Sequence, residues 1–190
     1  MNLLTEIAPQ SVRIEGQDYF FDADFRNVIK FEMLMEDSTI DEQTKGFLAL
    51  NLFFEDIPTD IASAFDCILS LYSPEAETDN KKTGTGKQKR IYSFEHDSDY
   101  IYAAFLADYG IDLQETEYLH WWKFRALFKG LKPDNMICKI MEYRAADLSK
   151  LKGEEKKFYQ RMQRQFALPI SKSEQEKLDV VADFLMGGKE

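Results

Sequence analysis

The sequence predicts a mainly α fold, with a short N-terminal β-hairpin followed by about seven helices in one or two helical bundles. Three observations carry this prediction. Val12, Ile14, Tyr19 and Phe21 alternate with period two about Glu15-Gly16-Gln17-Asp18, which reads as two strands and a glycine turn. From Asp22 onward apolar residues recur every three or four positions, the spacing of a helix face. No internal repeat, heptad array or alternation of strands with helices interrupts that pattern.

After the hairpin, Asp22 or Asp24 caps a helix carrying Phe25, Val28, Ile29 and Met33. Ser38 or Thr39 caps the next, with Asp41 and Glu42 in a first turn that the helix dipole favours and Phe47 to Phe54 as its buried end. Ile57-Pro58-Thr59-Asp60 breaks the chain and starts a third helix with Ile61, Ala64, Phe65, Ile68, Leu69 and Tyr72. Residues 1–72 thus form a hairpin plus a three-helix unit. Ser73 to Arg90 contains no apolar residue except Ala76, so residues 73–90 read as a flexible polar linker or exposed loop and the expected domain boundary.

Residues 91–190 form an aromatic-rich helical unit. Ile91 to Phe94 is an extended entry. Asp97 or Ser98 then caps a helix with Tyr100, Ile101, Ala104, Phe105 and Tyr109, stopped by Gly110. Asp112 caps another running to Gly130, on which Trp121, Phe124, Leu127, Phe128 and Leu131 mark the core side. Pro133-Asp134 begins a helix through Met136, Ile140 and Tyr143, and Gly153-Glu154 a basic one with Phe158, Met162 and Phe166. A last helix with Leu178, Val181 and Leu185 ends at Gly187-Gly188.

Composition bounds the function. With 190 residues, 44% apolar and 14% aromatic, the chain can bury a sizeable core, which excludes fibrous and wholly disordered classes. The run Phe47 to Phe54 is far shorter than the ~18 apolar residues of a membrane span, so no membrane partner is expected. The opening MNLLTEIAPQ lacks the basic and apolar regions of a secretory signal, and a cytoplasmic location is the expectation. Cys67 and Cys138 form no CxxC and stand apart from histidine, as buried thiols do. Charge is asymmetric: residues 1–80 hold 4 basic against 17 acidic groups, residues 121–170 hold 12 against 5. Such complementarity fits contacts within the chain or between copies of it, beside the plainer reading of solvated helix faces.

Catalytic chemistry is hard to assemble. Thr83-Gly84-Thr85-Gly86-Lys87 lacks the earlier glycine and the final Ser or Thr of a phosphate loop. Glu95, His96, Asp97 and Asp99 are of metal-ligand type, yet acidic residues at a helix start are also what capping selects. His96-Asp97 is too short of further histidines for a metal phosphohydrolase, because His120 is the one other histidine. The expectation is no enzyme, no metal and no cofactor. The basic stretch Lys150 to Arg164 sits in an acidic chain without a recognition motif, so nucleic acid is not expected.

One flank is a binding candidate. Tyr118, Trp122, Arg125 and Lys129 lie beside the core side of their helix, and Trp, Tyr and Arg are the types that anchor interfaces. Either a partner or another helix of the same chain covers that flank.

Long strings of the second unit point to a family. These are Tyr92-Ser93-Phe94-Glu95-His96-Asp97-Ser98-Asp99-Tyr100-Ile101-Tyr102-Ala103-Ala104-Phe105, Tyr109-Gly110-Ile111-Asp112-Leu113 and Leu119-His120-Trp121-Trp122-Lys123-Phe124-Arg125-Ala126-Leu127-Phe128. With Tyr143-Arg144, Asp147-Leu148 and the hairpin-first layout, they resemble the "gene product fifteen" family of tailed phages and prophages of Gram-positive bacteria. The resemblance implies a non-enzymatic tail morphogenesis protein of the host cytoplasm. It implies a tail assembly chaperone that coats the tape-measure protein and helps recruit major tail-tube subunits, and a homo-oligomer is among the partners expected. An acidic half and a more basic half would then hold the two activities in one chain. The alternative it leaves is a structural tail or connector protein retained in the virion.

Overall fold

A computed structural model describes residues 2–72 and 90–169. The Ser73–Lys89 part of the expected linker, the Thr83–Lys87 string and the helix expected around Leu178, Val181 and Leu185 lie outside the described residues. The fold is mainly helical, with seven helices among the described residues and a two-stranded antiparallel hairpin at the N-terminus.

Strands β1 (Ser11–Ile14) and β2 (Gln17–Phe20) pair with Ser11 opposite Phe20 and Ile14 opposite Gln17. Both turn residues have positive φ, Glu15 at 50° and Gly16 at 83°, as the two-residue turn matching strand twist requires. Ile14 is the buried side chain of the two strands, and Phe21 then bridges to Phe54.

Helix α1 (Phe25–Glu36) starts at Asp24, whose side chain accepts from the Arg26 amide. Helix α2 (Glu42–Phe53) is capped by Asp41 and not by Ser38 or Thr39. Asp37 instead gathers Thr39 into a separate turn, and the Asp41 carboxylate takes both the amide and the hydroxyl of Thr44. Helix α3 (Ile61–Tyr72) begins after Asp60, which accepts from the Ser63 amide at 3.1 Å. Helix α4 (Ser98–Tyr109) ends at Gly110, held at φ 64°, the left-handed region that glycine enters without penalty.

The helix expected from Asp112 to Gly130 forms only in its second part, as α5 (Trp121–Lys129). Asp112 closes a single turn, accepting from the amides of Gln114 and Glu115. The turn goes no further because Arg26 of α1 takes its carbonyls: Nη2 donates to Leu113 O at 2.7 Å and Thr116 O at 2.5 Å. Those oxygens are the ones a continuing helix needs for the amides four residues on. The chain then runs extended beside Ala23 to Phe25. Phe25 N donates to Leu119 O, Trp121 N to Ala23 O and Leu119 N to Asp24 Oδ2, at 2.8–2.9 Å.

Helix α6 (Met136–Ala145) also starts later than expected. Asp108 of α4 accepts from Lys132 N and the Asn135 side chain, pinning residues 132–135 as a turn. Helix α7 (Gly153–Gln165) packs on α6 and has no buried residue.

The chain segments before and after residues 73–89 meet in one core. Phe124 of α5 stacks on Phe25 of α1 at 4.7 Å and on Phe105 of α4 at 4.8 Å. Trp121 adds Tyr72 at 6.4 Å and Phe94 at 6.1 Å. The core side expected from sequence holds for Trp121, Phe124, Phe128 and Leu131, all buried.

Candidate functional site

Helix α5 presents its core side to α1, α3 and α4, which leaves the Trp122 flank at the rim of the core. His120 makes the start of that helix. Its Nδ1 accepts from Trp122 N at 3.1 Å, so an imidazole does the work of a capping oxygen. Burial is nearly complete, with His120 1% exposed. Nε2 lies near the Pro9 carbonyl without completing a hydrogen bond, and Trp121 Nε1 is likewise unpaired. Burial, with Lys123 acting in the same direction, lowers the His120 pKa against the pull of Pro9.

Trp122 is tied inward. Its indole N–H donates to Leu71 O at the end of α3 at 2.9 Å, and its ring lies 5.0 Å from that of His120. Another helix of the same chain therefore covers part of the flank. Arg125 is half-buried and its charge acts on the Tyr92 hydroxyl, whereas Lys129 is exposed. Tyr118 precedes α5 and is 37% exposed. Burial pushes its hydroxyl up, and the Gln10 side chain opposes that shift. Trp122, Arg125 and Lys129 thus share one side of one helix, and Tyr118 stands apart on the extended approach to it.

Next to Arg125 and Tyr92 opens a cleft of about 640 Å³ lined by Glu32, Glu36, Tyr72, Arg90, Ile91, Tyr92 and Ala145. The Tyr72 hydroxyl donates to Glu32 at 3.1 Å, and Arg90 pairs with Glu36 at 2.8 Å. Burial raises the Glu32 carboxyl above its usual range, with the Tyr72 bond acting against it. Burial also raises Tyr72 well beyond an ordinary phenol, with Glu32 adding to it. Carboxylates and phenols at that spacing suit a guanidinium, and Arg90 of this chain occupies the place. The phenols of Tyr72 and Tyr92 thereby move away from the neutral range in which a general acid or base works, whereas the Glu32 carboxyl is raised toward it.

Sequence reasoning missed one pair of residues. Arg144 and Asp97 form a two-pronged ion pair, Nη1 to Oδ2 at 2.6 Å and Nη2 to Oδ1 at 2.9 Å, with both side chains buried. Arg144 also donates to the carbonyls of Ile91 and Phe166, and Asp97 accepts from Ser93 N at 2.9 Å. One guanidinium thus holds the segment at Ile91 ahead of α4, the start of α4 and the end of α7 together. A signal for it exists in the sequence, since Arg144 falls on the same helix side as Ile137 and Ile140 and a charge there needs a buried partner. The Asp97 carboxylate is accordingly committed. Among the described residues no group of three or more His, Cys, Asp or Glu is placed to hold a metal ion.

These ties involve the very strings that stand out in the sequence: Ser93, Asp97, Leu119, His120, Trp122 and Arg144. A family model described as "Bacteriophage Gp15 protein" matches residues 4–168. The chain belongs to the bacteriophage Gp15 protein family. The Gp15 match runs from the segment ahead of the hairpin to just beyond α7, so it takes in every described element. It identifies the chain as a phage protein of a structural or morphogenetic family. No curated protein and no solved structure matches the chain. Among the described residues no helix is long and apolar enough to cross a membrane.

Proposed function

We propose that this member of the Gp15 family is a non-enzymatic tail assembly chaperone, which coats the tape-measure protein in the host cytoplasm and helps recruit tail-tube subunits. The observation that carries the reading is membership of a phage family over nearly the whole described chain. Two features support it. The described residues expose apolar side chains on several helices, among them Phe47, Leu48, Ile61, Leu69, Leu106 and Phe158, as a protein that shields apolar helix stripes needs. Arg125 and Lys129, with the outer edge of Trp122 on a helix anchored from behind and with Tyr118 on the approach to it, offer aromatic and cationic contacts. Many weak contacts along a long helix give cover that is easily released.

The test is affinity purification of the tagged full chain from cells expressing the phage tail genes, with mass spectrometry of the eluate and of purified virions. Tape-measure and tail-tube proteins in the eluate, with this protein absent from virions, is the expected result. Recovery of neither, with the protein present in finished particles, replaces the chaperone by a structural tail or connector protein.

A further inference from the structure

We propose that the face formed by α2 and α3 receives α7 of a second copy of this chain, so that the protein self-associates head to tail. The acceptor is apolar and acidic. Ile61, Phe65 and Leu69 follow one another every fourth residue along α3, and the Phe65 ring reaches Gly46 of α2, where a Cβ would lie 3.5 Å from Cζ. Phe47 is the next residue and points away from its own core with 62% of its surface exposed; Leu69 is 53% exposed. Residues 41–72 carry six acidic side chains and a single basic one, Lys45. That lysine is buried, its Nζ bound to Met35 O at 3.2 Å and Glu42 at 3.1 Å. The outward charge of this face is therefore negative, with Asp41, Glu42, Glu55, Asp56 and Asp66 exposed around the apolar residues.

The donor has the opposite character. Tyr159, Gln163 and Phe166 fasten α7 to α6 through Glu142, the carbonyls of Tyr143 and Ala146, and the Tyr143 ring. The other side of the helix carries Arg161 and Arg164, together with Lys157, which pairs with Glu154 at 2.7 Å; Phe158 lies at its edge, packed on Tyr143 at 5.8 Å yet 40% exposed under the Arg161 guanidinium. A cationic helix with an aromatic at its edge is what an acidic face with apolar residues at its centre selects. Both partners sit on the same chain. Donor and acceptor are different surfaces, so the contact is heterologous and each added copy leaves a free acceptor at one end and a free donor at the other. One helix laid on one face buries less than the ~800 Å² per partner of a stable dimer, so association is weak, concentration-dependent and salt-sensitive.

Sedimentation velocity of the full chain, from micromolar to millimolar concentration in low and in high salt, tests this. The wild type is expected to grow beyond a dimer at low salt and to dissociate at high salt. A donor variant, Arg161→Glu with Arg164→Glu, and an acceptor variant, Phe47→Ser with Asp66→Lys, each lose about tenfold or more in association. All four positions are exposed, and circular dichroism checks that each variant keeps the wild-type helix content. The decisive sample is an equimolar mixture of the two variants. Each supplies the surface that the other lacks, so the mixture forms heterodimers and stops there. A wild type that stays monomeric throughout, leaving the face to a basic helix of another protein, overturns the proposal; so do variants that associate like wild type, or a mixture that stays monomeric.

Discussion

Arg144 fixes three pieces of chain with one guanidinium, and its value lies in being matched. Removing Asp97 alone, as Asp97→Ala, leaves a buried uncompensated charge and is expected to cost about 3–5 kcal/mol in urea unfolding. Arg144→Met alone strands the carboxylate at comparable cost, whereas the double variant Asp97→Leu with Arg144→Met recovers much of the loss. His120 gives a second test at the same scale. Its folded pKa is lowered, so the unfolded chain binds the extra proton and stability rises with pH. The contribution is complete above the unfolded value of about 6.5 and is lost as pH falls toward the folded pKa. His120→Asn keeps an acceptor for Trp122 N and removes that titration. Denaturant midpoints from pH 7 to pH 5 are expected to fall more steeply for wild type than for the variant.

Helices with strong periodicity were legible from sequence, because α1, α3 and α7 repeat their apolar residues at helical spacing whatever surrounds them. Where an element failed, a distant side chain was the cause. Arg26 lies ~90 residues before the carbonyls it takes from the Asp112 turn, and no local pattern announces such a competitor. The same holds for the flank: residue types singled out Trp122, but that Leu71 O receives its N–H is a fact of packing between α5 and α3. The sequence leaves Asp22 and Asp24 open as caps of α1, and the structure uses Asp24, whose side chain accepts from Arg26 N. At this scale Gly110 is the sharpest prediction. It ends α4 at φ 64°, so Gly110→Ala puts a Cβ into the left-handed region and is expected to cost about 1 kcal/mol. A lower urea midpoint at unchanged slope is the expected readout.

For the whole molecule, the core does not respect the division that composition draws at residues 73–90. Phe25 stacks on Phe124, and the Asp24 carboxylate caps α1 while accepting from Leu119 N. A chain ending at Tyr72 therefore lacks the lid of its own core, and a chain starting at Arg90 lacks the floor. Each fragment alone is expected to show little cooperative unfolding and to bind a hydrophobic dye. Coexpressed, the two are expected to co-purify as one complex with a single unfolding transition, and two independently folded fragments would refute the shared core. Burial of this kind also explains why chemistry was not legible: the residues that look reactive in sequence, Asp97 and His120, are spent on holding the chain together.

The bond from Leu119 to Asp24 spans 95 residues, and that span has a meaning in time. A ribosome adds about 5–20 residues per second, so α1 waits several seconds after its own synthesis before α5 emerges to cover Phe25. During those seconds the nascent chain carries an uncovered aromatic surface and an acidic N-terminal stretch. Like charges on neighbouring nascent chains repel, which keeps the early segment apart from its copies until the later one closes over it.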